Sequence, residues 1–277
     1  MGRPYPEWVL RVTSALVLVA VALALTYVSL QAFAFLITVF IAAMAWEWGR
    51  MVRGNGLDLV VAVQLAATGT AAWATVQGCL GCALFAVFAG AMAVFLICSL
   101  SEGRAQAWWS AAGVTYAGLP AIALIWIRGD AYYGWLAILY IFIIVWTTDT
   151  AAYIFGRLIG GPKLAPSISP KKTWAGLIGG TLSAGLVGSI FALWIGETSV
   201  AKLALLSVAL ALAAQFGDLG ESALKRSFGT KDTSRLIPGH GGVLDRIDGL
   251  IFVAFAAALL GWAVDTAQPG RALLVWS

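Results

Sequence analysis

The chain has 277 residues, 61% of them hydrophobic and 11% charged, with a formal net charge of +4 and three cysteines. That composition excludes a soluble globular protein. No aromatic–basic recognition pattern accompanies the positive balance, so no nucleic-acid partner is expected.

A bilayer span takes roughly 20 apolar residues. The sequence predicts nine, at about 9–28, 31–49, 58–76, 80–99, 108–127, 134–156, 174–195, 201–225 and 248–265. The expected fold class is an all-α polytopic integral membrane protein. The first run is read as a retained span rather than a cleaved leader. Pro6 stands where myristoylation of Gly2 wants Ser or Thr. Only two polar segments, 157–173 and 226–247, are of useful length. Two parts follow: residues 1–133 with about five spans, and residues 134–277, which carry the chemistry.

Basic residues favour the cytoplasmic side. With the N-terminus inside, 14 of the 17 Lys and Arg fall on cytoplasmic segments, and only Arg128, Lys202 and Arg271 do not. Both long polar segments then face the cytoplasm, where nucleotides are found.

The first part is chemically quiet. Glu47, between Trp46 and Trp48, reads as a snorkelling carboxylate in an interfacial aromatic pair, with a site role as the alternative. Gly113 to Pro120 suggests close helix packing. Cys79 and Cys82 read as small residues at helix ends, because no further His or Cys is placed to complete a zinc site with them.

The second part concentrates charge. Asp149 lies inside an apolar span and needs a partner or a water-filled cavity, and Tyr153 shares its face. Its alternative role is a helix–helix hydrogen bond. Pro166 and Pro170 forbid a continuous helix before Lys171 and Lys172. These lysines stand at a predicted helix start, where a phosphate is favoured. They equally suit positive-inside anchors. Asp218, Glu221, Ser222 and Lys225 fall on one helical face. Asp218 lies roughly 10 Å deeper than Lys225, which describes a polar funnel open to the cytoplasm. The following loop carries Lys231, Asp232, Arg235, His240, Gly241 and Gly242. Its glycines let backbone N–H groups approach an anion. Asp245 and Asp248 open the last span, where helix capping explains one acid but not both.

Ser222 to Asp248 resembles the motif of the phosphatidate cytidylyltransferases, or CDP-diacylglycerol synthases. The matching positions are Ser222, Lys225, Arg226, Lys231, Asp232, Ser234, Pro238, His240, Gly241, Gly242, Asp245, Arg246 and Asp248. Asp149, Tyr153 and the stretch from Ser169 to Gly176 are also similar to the family. The resemblance covers roughly the second half. It implies a multi-span fold and the reaction of CTP with phosphatidate to give CDP-diacylglycerol and pyrophosphate, with Mg²⁺, for which Mn²⁺ can substitute.

The residue types suit that chemistry. A phosphate monoester is largely dianionic at neutral pH, so attack on the α-phosphorus of CTP needs no general base. Catalysis then rests on positioning and charge neutralisation. Asp218, Asp245, Asp248, Lys225 and Arg246 are the expected catalytic set. Asp218 and Asp245 are the first choice of metal ligand, with Asp149 and Asp248 next. Lys171, Lys172, Ser222, Arg226, Lys231, Asp232, Arg235, His240, Gly241 and Gly242 are the expected substrate contacts. His240 is expected to donate a hydrogen bond within the loop rather than act as a base. Partners are CTP, phosphatidate and membrane lipids in a bacterial inner membrane, with a homodimer left open. A cytidylyltransferase for another lipid phosphate fits the same residues. An anion transporter fits less well, because its path should carry polar groups from both faces, and here charge gathers at one.

Overall fold

The computed structural model describes residues 7–234, 236–237 and 241–275. Among these residues ten helices and one short hairpin follow in chain order: α1 (Glu7–Val28), α2 (Leu30–Arg53), α3 (Leu59–Val76), α4 (Leu80–Ser101), α5 (Arg104–Arg128), α6 (Gly134–Leu158), β1 (Lys163–Ala165), β2 (Ser169–Thr173), α7 (Trp174–Ile195), α8 (Val200–Ser227), α9 (Leu244–Val264) and α10 (Pro269–Leu274). Helices α2 to α9 are long and apolar enough to cross a bilayer, and α1 adds a shorter apolar run, Val12–Val28. The protein is thus an all-α polytopic membrane protein apart from the hairpin. β1 and β2 pair antiparallel, Lys163 opposite Thr173, where the prolines interrupt helix.

Local chemistry sets the boundaries. Ser29, Asp58 and Thr173 cap α2, α3 and α7, each side chain accepting a backbone N–H three residues on. Gly54 and Gly196 end α2 and α7 in the left-handed region.

The chain divides into two compact units, 1–126 with 228–247, and 127–227 with 248–277. The first unit holds α1 to nearly all of α5. Small residues at buried positions, among them Ala71, Ala83 and Ala107, let its helices pack closely. Arg53 is not a surface anchor. Its guanidinium, 1% exposed, forms a bidentate pair with the α3 cap Asp58 and donates to Ser110 on α5. Cys79 and Cys82 form a disulfide at the turn before α4, which corrects their reading as merely small residues at helix ends. The two Cα atoms lie 5.3 Å apart, within bonding reach.

In the second unit α7 packs against both α6 and α8. The approach to α6 is close because a Cβ on Gly176 or Gly180 would come within 2.8 Å of the Ala152 or Thr148 carbonyl oxygen. Tyr140 and Ser207 share a buried hydrogen bond of 2.7 Å between α6 and α8. Helix α10 is tied down through the Arg271 N–H, which donates to Asp130.

Candidate active site

The second unit gathers charge where its helices end. Asp218 lies nine residues before the end of α8, about 14 Å along the axis. Lys172 comes from β2, one residue before the Thr173 cap of α7, so hairpin and cap together fix its backbone. Its Nζ forms an ion pair with Asp218 Oδ2 at 2.6 Å. One turn further along α8, Glu221 is 3% exposed and pairs with Lys225 at 2.9 Å. Ser222 Oγ approaches Asp218 Oδ1 at 3.5 Å, the outer limit of a hydrogen bond.

Helix α9 enters this cluster through a close approach. A Cβ on Gly217 would come within 2.7 Å of the Asp248 carbonyl oxygen. Asp248 thereby lies within electrostatic range of Asp218, Glu221 and Asp149. Tyr153, on the Asp149 face of α6, accepts a hydrogen bond from Arg157 at 2.9 Å. Lys171 and Arg226 are exposed.

Four carboxylates with two lysines are costly in an apolar bundle. Desolvation offsets much of the attraction in a buried pair, so stability alone is a poor reason for keeping them. Among the described residues, no three His, Cys, Asp or Glu side chains are close enough to hold one ion together. The oxygen donors nonetheless fit magnesium in its usual form, held by one or two carboxylates, with phosphates and water completing the shell.

The first unit carries a second polar cluster, built by the loop after α8. Ile237 and Gly241 exchange backbone hydrogen bonds and pinch the loop. Asp245 Oδ2 accepts from the N–H groups of Thr233 and Gly242, at 3.2 and 2.9 Å, and lies 3.1 Å from the Thr233 hydroxyl. Glu47 reaches the same loop from α2. Val243 N–H donates to its Oε1 and Leu244 N–H to its Oε2, each at 2.8 Å. Ser234 Oγ donates to Oε1, and Thr233 Oγ1 lies 3.2 Å from Oε2. Gly242 must be glycine here, since a Cβ would collide with Thr233 Oγ1 and approach Glu47 Oε1 to 2.6 Å. Lys231, Asp232 and Arg246 are exposed, and Gly241 is partly buried. Arg235, Pro238 and His240 lie outside the described residues.

Glu47 corrects the sequence reading. It is completely buried and fully hydrogen-bonded, not snorkelling to an interface. Its flanking tryptophans suggested a membrane surface, but Trp48 is itself buried and donates its indole N–H to the Trp109 carbonyl at 2.8 Å. The signal that could have found it is simpler: a carboxylate inside an apolar helix needs a partner.

The profile of the cytidylyltransferase family matches residues 9–264. A phosphatidate cytidylyltransferase of Brucella suis is 46% identical over 169 residues, covering 61% of this chain and 62% of the relative. The phosphatidate cytidylyltransferase of Haemophilus influenzae is 45% identical over 139 residues, 48% of each chain. That of Staphylococcus epidermidis is 50% identical over 117 residues, 42% of this chain and 45% of the relative. The aligned part thus spans less than two thirds of the length of these relatives. With the family profile running from the first span to the end of the last long helix, the chain belongs to the cytidylyltransferase family.

Proposed function

We propose that this protein transfers the cytidylyl group of CTP to phosphatidate, forming CDP-diacylglycerol and pyrophosphate, in a bacterial inner membrane with its site facing the cytoplasm. The observation that carries the reading is the ion pair between Lys172 of the hairpin and Asp218 of α8, with Asp248 and Asp149 in range. Cations and carboxylates, with no nucleophile–base pair among the described residues, suit a reaction between two anions.

In that reaction a lipid phosphate oxygen forms the new bond to the α-phosphorus of CTP. The bond from that phosphorus to the bridging oxygen of the β-phosphate breaks, and pyrophosphate leaves with the electron pair. No proton has to be removed from the attacking dianion. The chain's task is to bring the anions together in line and hold them. Lys172 is placed to neutralise phosphate charge, Lys225, Arg226, Lys231 and Arg246 are the further cations of the motif, and Arg235 adds one from within the same stretch. Asp218 and Asp248, with Asp149 as a further ligand, would hold magnesium or manganese, which supplies charge neutralisation on the phosphates when bound.

The orientation rests on two independent features. The bias of Lys and Arg puts the N-terminus inside. Counting helices from there puts the α3–α4 turn outside, and that turn carries the disulfide, a bond that persists in oxidising compartments.

The test is turnover by purified protein in mixed micelles. CTP-dependent pyrophosphate release, together with a labelled CDP-lipid, is expected with phosphatidate. Release with another lipid phosphate but not with phosphatidate would move the substrate, and no release with either would end the proposal.

A further inference from the structure

Glu47 belongs to no part of the motif by which the sequence resembles its family. It lies on α2, nearly 190 residues before the partners it binds, and it is completely buried. Its two oxygens face four donors, all from residues 233–244. Two are the N–H groups of Val243 and Leu244, where α9 begins. Such groups have no partner within the helix, and this helix end favours negative charge. The other two are the hydroxyls of Thr233 and Ser234, on the far side of the pinched turn. One carboxylate therefore closes both ends of the segment that carries Gly241 and Gly242.

The surroundings hold that carboxylate still. The Trp48 ring packs 5.1 Å from Tyr116, and a Cβ on Gly113 would clash with it at 2.5 Å. Phe228, at the start of the loop, meets Trp109 edge-on. The absence of a side chain at Gly242 is what admits Glu47 to the turn. An amide at position 47 would fill the same space, but it offers one accepting oxygen and turns an NH₂ toward groups that themselves donate.

We propose that Glu47 is a positioning residue for CTP: it sets the loop bearing Lys231 and the first turn of α9 bearing Arg246 in the arrangement that receives the nucleotide's phosphates. This rests on the cytidylyl-transfer reading. The experiment compares full-length wild type with E47Q and E47D in mixed micelles, varying each substrate separately. Amide hydrogen exchange is measured on the same samples. In E47Q the KM for CTP is expected to rise on the order of 10-fold or more while the KM for phosphatidate stays within about twofold. E47D, which keeps the carboxylate, is expected to recover part of the loss. Amides of 229–244 should exchange faster in E47Q, and those of α3 and α4 should not. Because the groups act as one unit, S234A added to E47Q should cost little more.

Unchanged KM values, with kcat falling only as the folded fraction falls, would overturn the proposal and leave Glu47 a structural residue. If E47Q does not accumulate, S234A keeps the carboxylate and removes the hydroxyl donor that serves Glu47 alone. A rise confined to the KM for CTP then supports the proposal, and unchanged KM values overturn it. A folded wild type that forms no CDP-lipid ends the functional reading instead. Exchange alone then decides the anchor, and unchanged rates at 229–244 in E47Q remove it.

Discussion

Two polar clusters, one in each unit, solve the problem of a carboxylate in an apolar protein in opposite ways. Around Glu47 and Asp245 the donors are backbone N–H groups and hydroxyls, so the fold itself answers each negative charge. Around Asp218 and Asp248 the neighbours are other carboxylates and the lysines Lys172 and Lys225. The first arrangement fixes a loop. The second concentrates charge of both signs, which phosphates and a divalent cation can rearrange. The lesson is that the identity of the neighbours, more than burial, separates a carboxylate that builds from one set among other charges.

The sharpest way to break this comparison is to neutralise a carboxylate of the charged cluster. Asp218→Asn keeps the shape and removes the charge. Turnover is expected to fall by about 10³-fold or more, a loss typical of deleting a group aimed at transition-state charge. Folding and membrane insertion, read by size-exclusion chromatography and yield, should hold. EDTA is expected to silence the wild type to a similar extent, with recovery on adding Mg²⁺ or Mn²⁺. Near-normal turnover by Asp218→Asn at saturating Mg²⁺ would put Asp218 among the carboxylates that build.

Next in size is the cation of that cluster. Lys172→Ala is expected to lower kcat/KM for phosphatidate by about 10²-fold, within the range for a fixed cation on a transferring phosphate. It should weaken phosphatidate more than CTP, and Lys231→Ala should do the reverse. Separate titration of each substrate measures the split. Equal effects on both substrates in both variants would show the cations acting as one pool.

The hydrogen-bonded cluster should answer differently. Gly242→Ala forces a methyl group against Thr233 and Glu47. Overpacking of this kind costs about 1–3 kcal/mol, so a lower Tm is expected, with any rise in KM confined to CTP as for E47Q. A melting temperature equal to wild type would mean that the loop yields there.

Much of this was legible in the residues, and the exceptions have physical causes. The long apolar runs place the membrane helices within a few residues, since bilayer thickness leaves little freedom in length. The motif from Ser222 to Asp248 marks a charged stretch because ions are rare elsewhere in the chain. Contacts across long sequence separations were not legible. Nothing near Glu47 announces partners almost 190 positions on, and the two tryptophans beside it pointed to an interface. Arg53 counted as an inside anchor by charge alone, yet its guanidinium is spent on Asp58 and Ser110. On the stripe of α8, spacing showed which residues share a face but not which charges pair. Lys172 takes Asp218 and Lys225 takes Glu221 because the hairpin delivers a second lysine to that face.

The smallest effect on activity is expected at the α3–α4 turn, which belongs to neither cluster. Cys79 and Cys82 enclose only the two residues between them, and the Cys79 sulfur also accepts the Cys82 N–H at the start of α4. Closing so short a loop removes little chain entropy, so C79S/C82S is expected to lose no more than about 2 kcal/mol of stability. A serine hydroxyl can also take over the cap. Turnover should stay within about twofold of wild type, as is usual for a surface change away from a site. The same bond reports topology. In intact cells, a maleimide too polar to cross the inner membrane should label these cysteines only after reduction. On the C79S/C82S background, a cysteine placed at Ser167 should label only once the cytoplasm is opened, and one at Thr198 should label from outside. Labelling of position 167 from the outer side would reverse the orientation and take the charged cluster away from cytoplasmic CTP, whatever the kinetics of Asp218→Asn had shown.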